Sequence, residues 1–133
     1  MARYAFFDAD YYLKQNQDVA VAWQGNVEDH YYLFGANEGR APAAWFNAQE
    51  YRQAYQDLQA LNAEQLFAHY NSNGYKEGRI PSAGYDGFDT QRYLDTYSDL
   101  GAGGITNATA LNHYLIHGKS EGRIAYFDDG TQV

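Results

Sequence analysis

With 133 residues, a mass of 15.1 kDa and no cysteine, the chain has the size of one ordinary domain and cannot draw on disulfides or thiolate metal sites. Nine Lys+Arg against 17 Asp+Glu give a formal charge of −8, the wrong sign for gripping a phosphate backbone, so no nucleic acid partner is expected. No run of about 18 apolar residues exists to span a membrane, and an aromatic content of 17%, carried mostly by 14 tyrosines, is too rich for a disordered chain.

The opening stretch, MARYAFFDADYYL, has one early arginine, and Asp8 and Asp10 interrupt its apolar run, so no Sec-type signal peptide is expected. Asp8 is a good helix N-cap, with Phe7 before it and Tyr12 at the fourth helical position, the spacing of a hydrophobic staple. This predicts a first helix from Asp8 to near Asp18. A loop at QGN (24–26) leads to a second helix from Asn26 to Gly35, which reads as a left-handed C′ residue. His30 and Tyr31 fall in its last turns, and Glu38-Gly39-Arg40 follows.

The same order of signals returns twice. FFDADYYLKQNQDV (6–19) aligns without a gap over WFNAQEYRQAYQDL (45–58) and GFDTQRYLDTYSDL (87–100), and HYYLFGANEGR (30–40) over HYNSNGYKEGR (69–79) and HYLIHGKSEGR (113–123). The second copy predicts a helix from Asn47 to near Asp57, stapled by Phe46 and Tyr51. Another runs from Asn62 to Gly74 with His69 and Tyr70, before Glu77-Gly78-Arg79. In the third copy the helices run from Asp89 to near Asp99, stapled by Phe88 and Tyr93, and from Thr106 to Gly118 with His113 and Tyr114, before Glu121-Gly122-Arg123. Phe7, Phe46 and Phe88 lie 39 and then 42 residues apart, a period that belongs to helix-pair repeats. The expected fold is all-α: one domain of three tandem helix-pair repeats (6–44, 45–86 and 87–125), forming a small solenoid-like or compact helical domain. Residues 126–133, containing Phe127-Asp128, read as the start of a truncated fourth repeat or as a tail.

An active site is rarely needed three times in one small chain, whereas a stacked unit is, so the triplicated residues read as a structural signature. Each histidine is expected to hydrogen-bond the adjoining loop or the repeat aspartate, since histidines of stacked repeats would lie too far apart to share a metal. His113 and His117 do form an i, i+4 pair near Glu121, but two imidazoles in one copy make no zinc site. The glycine of each Glu-Gly-Arg suits a tight positive-φ turn. Its arginine is expected to fold back onto Asp18, Asp57 or Asp99, or onto orphan helix carbonyls. A ladder of guanidinium groups for a ligand carboxylate or sulfate is the competing reading. Tyr55 and Tyr97 match each other and read as core. The tyrosines without counterparts, Tyr4, Tyr11, Tyr32, Tyr75, Tyr85 and Tyr126, together with Trp23 and Trp45, are candidates for a contact surface, against the reading that they fill gaps between short helices. There is no HExxH, P-loop or G-x-S-x-G, and GAGG (101–104) lacks the spacing of a phosphate loop, so no catalytic residue is assigned.

The combined pattern, F-[DN]-x3-Y-x5-D-[VL] and then HY-x3-G-x2-EGR, resembles a short repeat of large bacterial secreted and cell-surface proteins. In these, FDxxYYLxxNxDV and HYxxxGxxEGR segments occur in tandem beside calcium-binding, surface-layer-like or RTX-type adhesin regions. The resemblance covers nearly all of residues 6–125. Copy two departs from it at Arg52 and Tyr55, where copy one has Leu13 and Asn16, and copy three lacks the usual proline after Glu-Gly-Arg. The resemblance implies a non-enzymatic module for protein–protein association or assembly at a bacterial cell surface, or else a glycan- or calcium-binding adhesin module. It implies an extracellular location, although the missing signal leaves the cytoplasm open. No cofactor is expected beyond calcium. Self-association is expected head to tail, through Phe6 and Phe7 at one end and an uncovered third repeat at the other.

Overall fold

The computed structural model describes residues 3–133. The described chain is built from helices, with no strands and two isolated antiparallel bridges, Phe88–Phe127 and Tyr126–Gln132. The first segment contains α1 (Ala9–Gln15), α2 (Gln17–Ala22) and α3 (Val27–His30), the last continuing through a π-helical turn, Tyr31–Gly35. In the second segment α4 (Ala48–Ala54) is followed by a 3-10 turn (Gln56–Leu58), α5 (Ala63–Ser72) and two further 3-10 turns, Gly74–Lys76 and Ala83–Tyr85. The third holds α6 (Thr90–Thr96), α7 (Ser98–Ala102) and α8 (Ala110–His113), with a π-helical turn at Tyr114–Gly118. No helix is long and apolar enough to cross a membrane among the described residues.

Local chemistry sets the helix starts. The side chains of Asp8, Asn47 and Asp89 accept the N–H groups of Tyr11, Glu50 and Arg92, satisfying donors that a helix start leaves orphaned. Behind each cap, Phe7 meets Tyr12 at 5.3 Å between ring centroids, Phe46 meets Tyr51 at 5.5 Å and Phe88 meets Tyr93 at 5.8 Å. Asn62 and Gln65 form a reciprocal capping box on α5.

Each first helix was expected to run unbroken to its aspartate; instead the chain leaves helical geometry at Asn16, Tyr55 and Tyr97, whose φ values are −130°, −135° and −120°. Asp18, Asp57 and Asp99 therefore sit in a separate short helical piece. The break has a purpose in packing: the Tyr55 and Tyr97 hydroxyls accept the N–H groups of Ile80 and Ile124 at 2.6 and 2.7 Å. Asn16 instead donates its amide to the Tyr12 carbonyl.

The interior is made of tyrosine as much as of aliphatic residues. Tyr12, Tyr31, Tyr51, Tyr70 and Tyr93 are fully buried, with Phe67, Leu58 and Leu66 among them. One apolar cluster joins the first two segments, a second lies within the third, and half-buried Tyr85 and Leu115 touch both. Polar bonds cross the junctions as well: Tyr4 donates to Glu64, the Phe6 N–H to Asn71, and the Tyr70 hydroxyl to Asn112.

Every segment closes on itself. The N–H of Asp8 donates to the Pro42 carbonyl, that of Asn47 to Pro81 and that of Asp89 to Tyr126, at 3.0, 3.1 and 2.9 Å. Residues 126–133 do not open a fourth unit. Phe127 donates to the Thr131 carbonyl, Val133 to Ala125 and Asp128 to Gly87, so the tail doubles back and lies along the start of the third segment.

Candidate functional site

In each segment one tyrosine, one histidine and one glycine meet. The hydroxyl of Tyr12 shares a hydrogen bond of 2.7 Å with Nδ1 of His30, Tyr51 one of 2.8 Å with His69, and Tyr93 one of 2.9 Å with His113. The partner of the histidine is therefore the buried stapling tyrosine, and neither a loop nor the aspartate. Gly35, Gly74 and Gly118 are not left-handed, contrary to the C′ reading. They are required because that same tyrosine hydroxyl occupies the place where a Cβ would stand. Burial pushes the Tyr12 and Tyr93 hydroxyls up to about 12, and Tyr51 further in the same direction, so all three remain neutral at physiological pH. Burial, and then the neighbouring His117, lower the pKa of His113.

The left-handed residue lies four positions further on. Gly39, Gly78 and Gly122 have φ of +83°, +76° and +80°. In the first segment the Gly39 N–H donates to Ala36 and the Arg40 N–H to Gly35, the paired bonds of a Schellman cap; Gly122 and Arg123 repeat them onto Lys119 and Gly118. This cap turns each arginine back over its own segment. Nη1 and Nη2 of Arg40 grip Asp18 at 2.8 and 2.7 Å while Nε donates to Glu38 at 2.9 Å. Arg79 holds Asp57 and Glu77 in the same way, and Arg123 holds Asp99 and Glu121. Arg79 and Arg123 also stack over Tyr55 and Tyr97, at 4.6 and 4.8 Å from the ring centroids, and Arg40 donates to Asn16 instead. The arginine beside it takes the Asp18 carboxyl down to about 2 and lowers Asp57 and Asp99 likewise. With one edge of each guanidinium on an aspartate and Nε on a glutamate, no bidentate edge is left for a ligand ladder.

The candidate contact residues divide. Trp45 and Tyr4 are core, not surface: Trp45 packs on Phe46, Phe67 and Tyr70, and Tyr4 on Phe67 and Tyr31. Tyr11, Trp23, Tyr75, Tyr85 and Tyr126 are half-buried. Tyr75 rests on Phe6, Arg92 covers the Tyr126 ring at 3.5 Å, and the Trp23 ring lies edge-on to His30 and Phe34. Tyr32 is exposed, with the Arg3 guanidinium 4.0 Å from its centroid.

Four outward apolar residues escaped the sequence reading. Val21, Leu33, Phe34 and Ile124 are 86%, 52%, 50% and 44% exposed. The signal was the contrast within the aligned copies: Tyr32-Leu33-Phe34 stands where the second copy has Asn71-Ser72-Asn73 and the third has Leu115-Ile116-His117. Leu115 and Ile116 are half-buried against the first cluster, beside Phe6 and Trp45. Their counterparts, Tyr32 and Leu33, are 41% and 52% exposed, and Phe34 aligns with His117, which is exposed as well.

Among the described residues no group of three His, Asp or Glu side chains is arranged to hold a metal ion. The His113 and His117 rings are 5.6 Å apart, and His113 Nδ1 is engaged with Tyr93. A cleft of about 550 Å³ lies between the first two segments, reached by Arg40, Asn47, Arg52 and Asn62. Comparison of the chain with protein families, with characterised proteins and with solved structures gives no match in any of the three.

Proposed function

We propose that the chain is a non-enzymatic module of three stacked helical repeats that associates with other protein, foremost a second copy of itself, at a bacterial cell surface. The reading is supported first by how the signature residues are used. Tyrosine, histidine, glycine, arginine and aspartate recur in every segment and are engaged with one another, as expected of a scaffold. The cell-surface setting rests on the resemblance of the repeat pattern.

The observation that carries association is the exposed face of the first segment. Tyr32, Leu33 and Phe34 are exposed, whereas Leu115 and Ile116, which align with Tyr32 and Leu33 in the third segment, pack against the chain's own Phe6 and Trp45 side. A surface that is covered inside the molecule in one repeat and open in another suits an intermolecular contact of the same kind. The folded-back tail moves the expected contact away from the C-terminal end and onto this face.

Light scattering coupled to size exclusion, from micromolar to near-millimolar protein, tests this. The mass should rise above 15.1 kDa with concentration. Leu33→Ser with Phe34→Asn gives the first segment the residues of the second, and should hold the chain at monomer mass without loss of helix. A wild-type particle of unchanging monomer mass would overturn the reading.

A further inference from the structure

The cleft between the first and second segments departs from the repeat pattern at two polar positions, Arg52 and Asn47. Arg52 stands where the other two copies have Leu13 and Leu94. Its Nε and Nη2 donate to the Leu61 carbonyl, which leaves Nη1, and it forms no ion pair among the described residues. Asn47 caps its helix where the other copies use Asp8 and Asp89, so a carboxylate is replaced by an amide whose NH2 group is not needed for the cap. Asn62 likewise caps α5 through Oδ1 and keeps its NH2 group. No aspartate or glutamate lines the cleft, in a chain that carries 17 of them.

Space and one tyrosine hydroxyl add to this. Ala36 and Ala41 line the cleft where the second copy has the larger Tyr75 and Ile80. Tyr31, also a lining residue, is 1% exposed overall, but its hydroxyl makes no hydrogen bond to a described residue and is not sealed from solvent, so it is open to a partner in the cleft. Its counterpart Tyr70 donates to Asn112, and the residue that corresponds to Asn112 in the second segment is Ala68, which cannot accept.

We infer that this cleft is a binding site for a carboxylated saccharide, a uronate unit of an acidic glycan. Arg40, engaged by Asp18 and Glu38, supplies a wall and not a free charge. Of the two cations that line the cleft, Arg52 is then the one without an acidic partner among the described residues, and it matches a singly charged carboxylate better than a phosphate, which needs several converging donors. The amide groups of Asn47 and Asn62 and the Tyr31 hydroxyl suit sugar hydroxyls, and about 550 Å³ lies within the range of sites that enclose small ligands. The site uses no residue of the Leu33–Phe34 face, so it stands or falls independently of self-association.

Calorimetry and NMR titration with di- and trigalacturonate test the inference, with galactose oligosaccharides of the same length and acetate as controls. Saturable binding of the uronate is expected, about tenfold tighter than the neutral sugar, with shifts at the side-chain amides of Asn47 and Asn62. Arg52→Leu, the residue of the other two copies, should weaken binding about tenfold. Tyr31→Phe deletes a hydroxyl with no protein partner, so it should weaken binding severalfold with unchanged melting, and it remains informative if Arg52→Leu disturbs the Leu61 loop. Absence of saturation up to about 10 mM, equal affinity for the neutral sugar, or shifts confined to the Leu33–Phe34 face would each overturn it.

Discussion

Replacing Gly74 by alanine separates two roles that glycine plays at a helix end. Its φ is not positive, so alanine meets no backbone penalty there and by helix propensity alone would stabilise by up to about 1 kcal/mol. The new Cβ, however, would land on the Tyr51 hydroxyl, with Tyr51 Cζ and Tyr70 Cδ1 each 3.2 Å away. Tyr51 is fully buried and bonded to His69, so it cannot swing aside freely. Overpacking costs about 1–3 kcal/mol and the disturbed Tyr51–His69 bond about 1 more. After the propensity gain, the net loss is about 1–3 kcal/mol, or a melting temperature lower by roughly 3–12 °C. Tyr51→Phe removes the obstructing oxygen at a cost of about 1 kcal/mol by itself. Combined with Gly74→Ala it should be less damaging than the sum, with a coupling of about 1–2 kcal/mol. Denaturant melts of the four proteins supply the cycle. A Gly74→Ala chain that melts higher than wild type, or strictly additive losses, would refute the close-packing account.

Arg79→Ala should cost about 1–2 kcal/mol, more through lost stacking over Tyr55 and lost cover than through the exposed pair with Asp57. A denaturation curve superimposable on wild type would refute the role assigned to Glu-Gly-Arg. Acid should also loosen the fold. Asp18 titrates near 2 when folded against 3.8 otherwise, and Asp57 and Asp99 are shifted the same way. Their contribution is complete above about pH 4 and fades as the pH falls towards 2, which urea melts between pH 5 and 2.5 would show. His113, also lowered, adds a loss that begins as the pH drops below 6.5. An Asp18→Asn chain should lose less stability over the acid range than wild type.

Helix starts are legible in this sequence because their bonds are local: Asp8 to Tyr11, Asn47 to Glu50 and Asp89 to Arg92 each span three residues. The arginine clips reach over 22, 22 and 24 residues, and only their repetition makes them readable. Gly35 and its counterparts mislead because a glycine near a helix end has two meanings. Which one applies depends on a tyrosine from another helix, 18 to 20 residues before the histidine that it meets. The breaks at Asn16, Tyr55 and Tyr97 are illegible for the same reason: the hydroxyls of the two tyrosines answer backbone groups about 25 residues downstream. Trp45, a contact-surface candidate, is buried, and Phe34, to which the sequence assigned no role, is half exposed, since side-chain type alone does not say whether an apolar residue has a neighbour to cover it.

The bonds from Asp8 to Pro42, from Asn47 to Pro81 and from Asp89 to Tyr126 bring the two ends of each segment together. A closed loop of chain can be copied in or deleted as a whole, because the residues on either side of the join are already neighbours. Tandem duplication in the gene would then add a complete set of cap, staple and arginine clip in one step, and the flanking units would need only a new surface to rest on. The uneven stretches at 24–26, 59–65 and 101–108 lie inside the loops and away from the joins, where length can drift without changing how one unit hands the chain to the next. If the segments are stacked repeats as proposed, reach would follow the number of units, while single positions such as Arg52 and Phe34 diverge in one copy at a time.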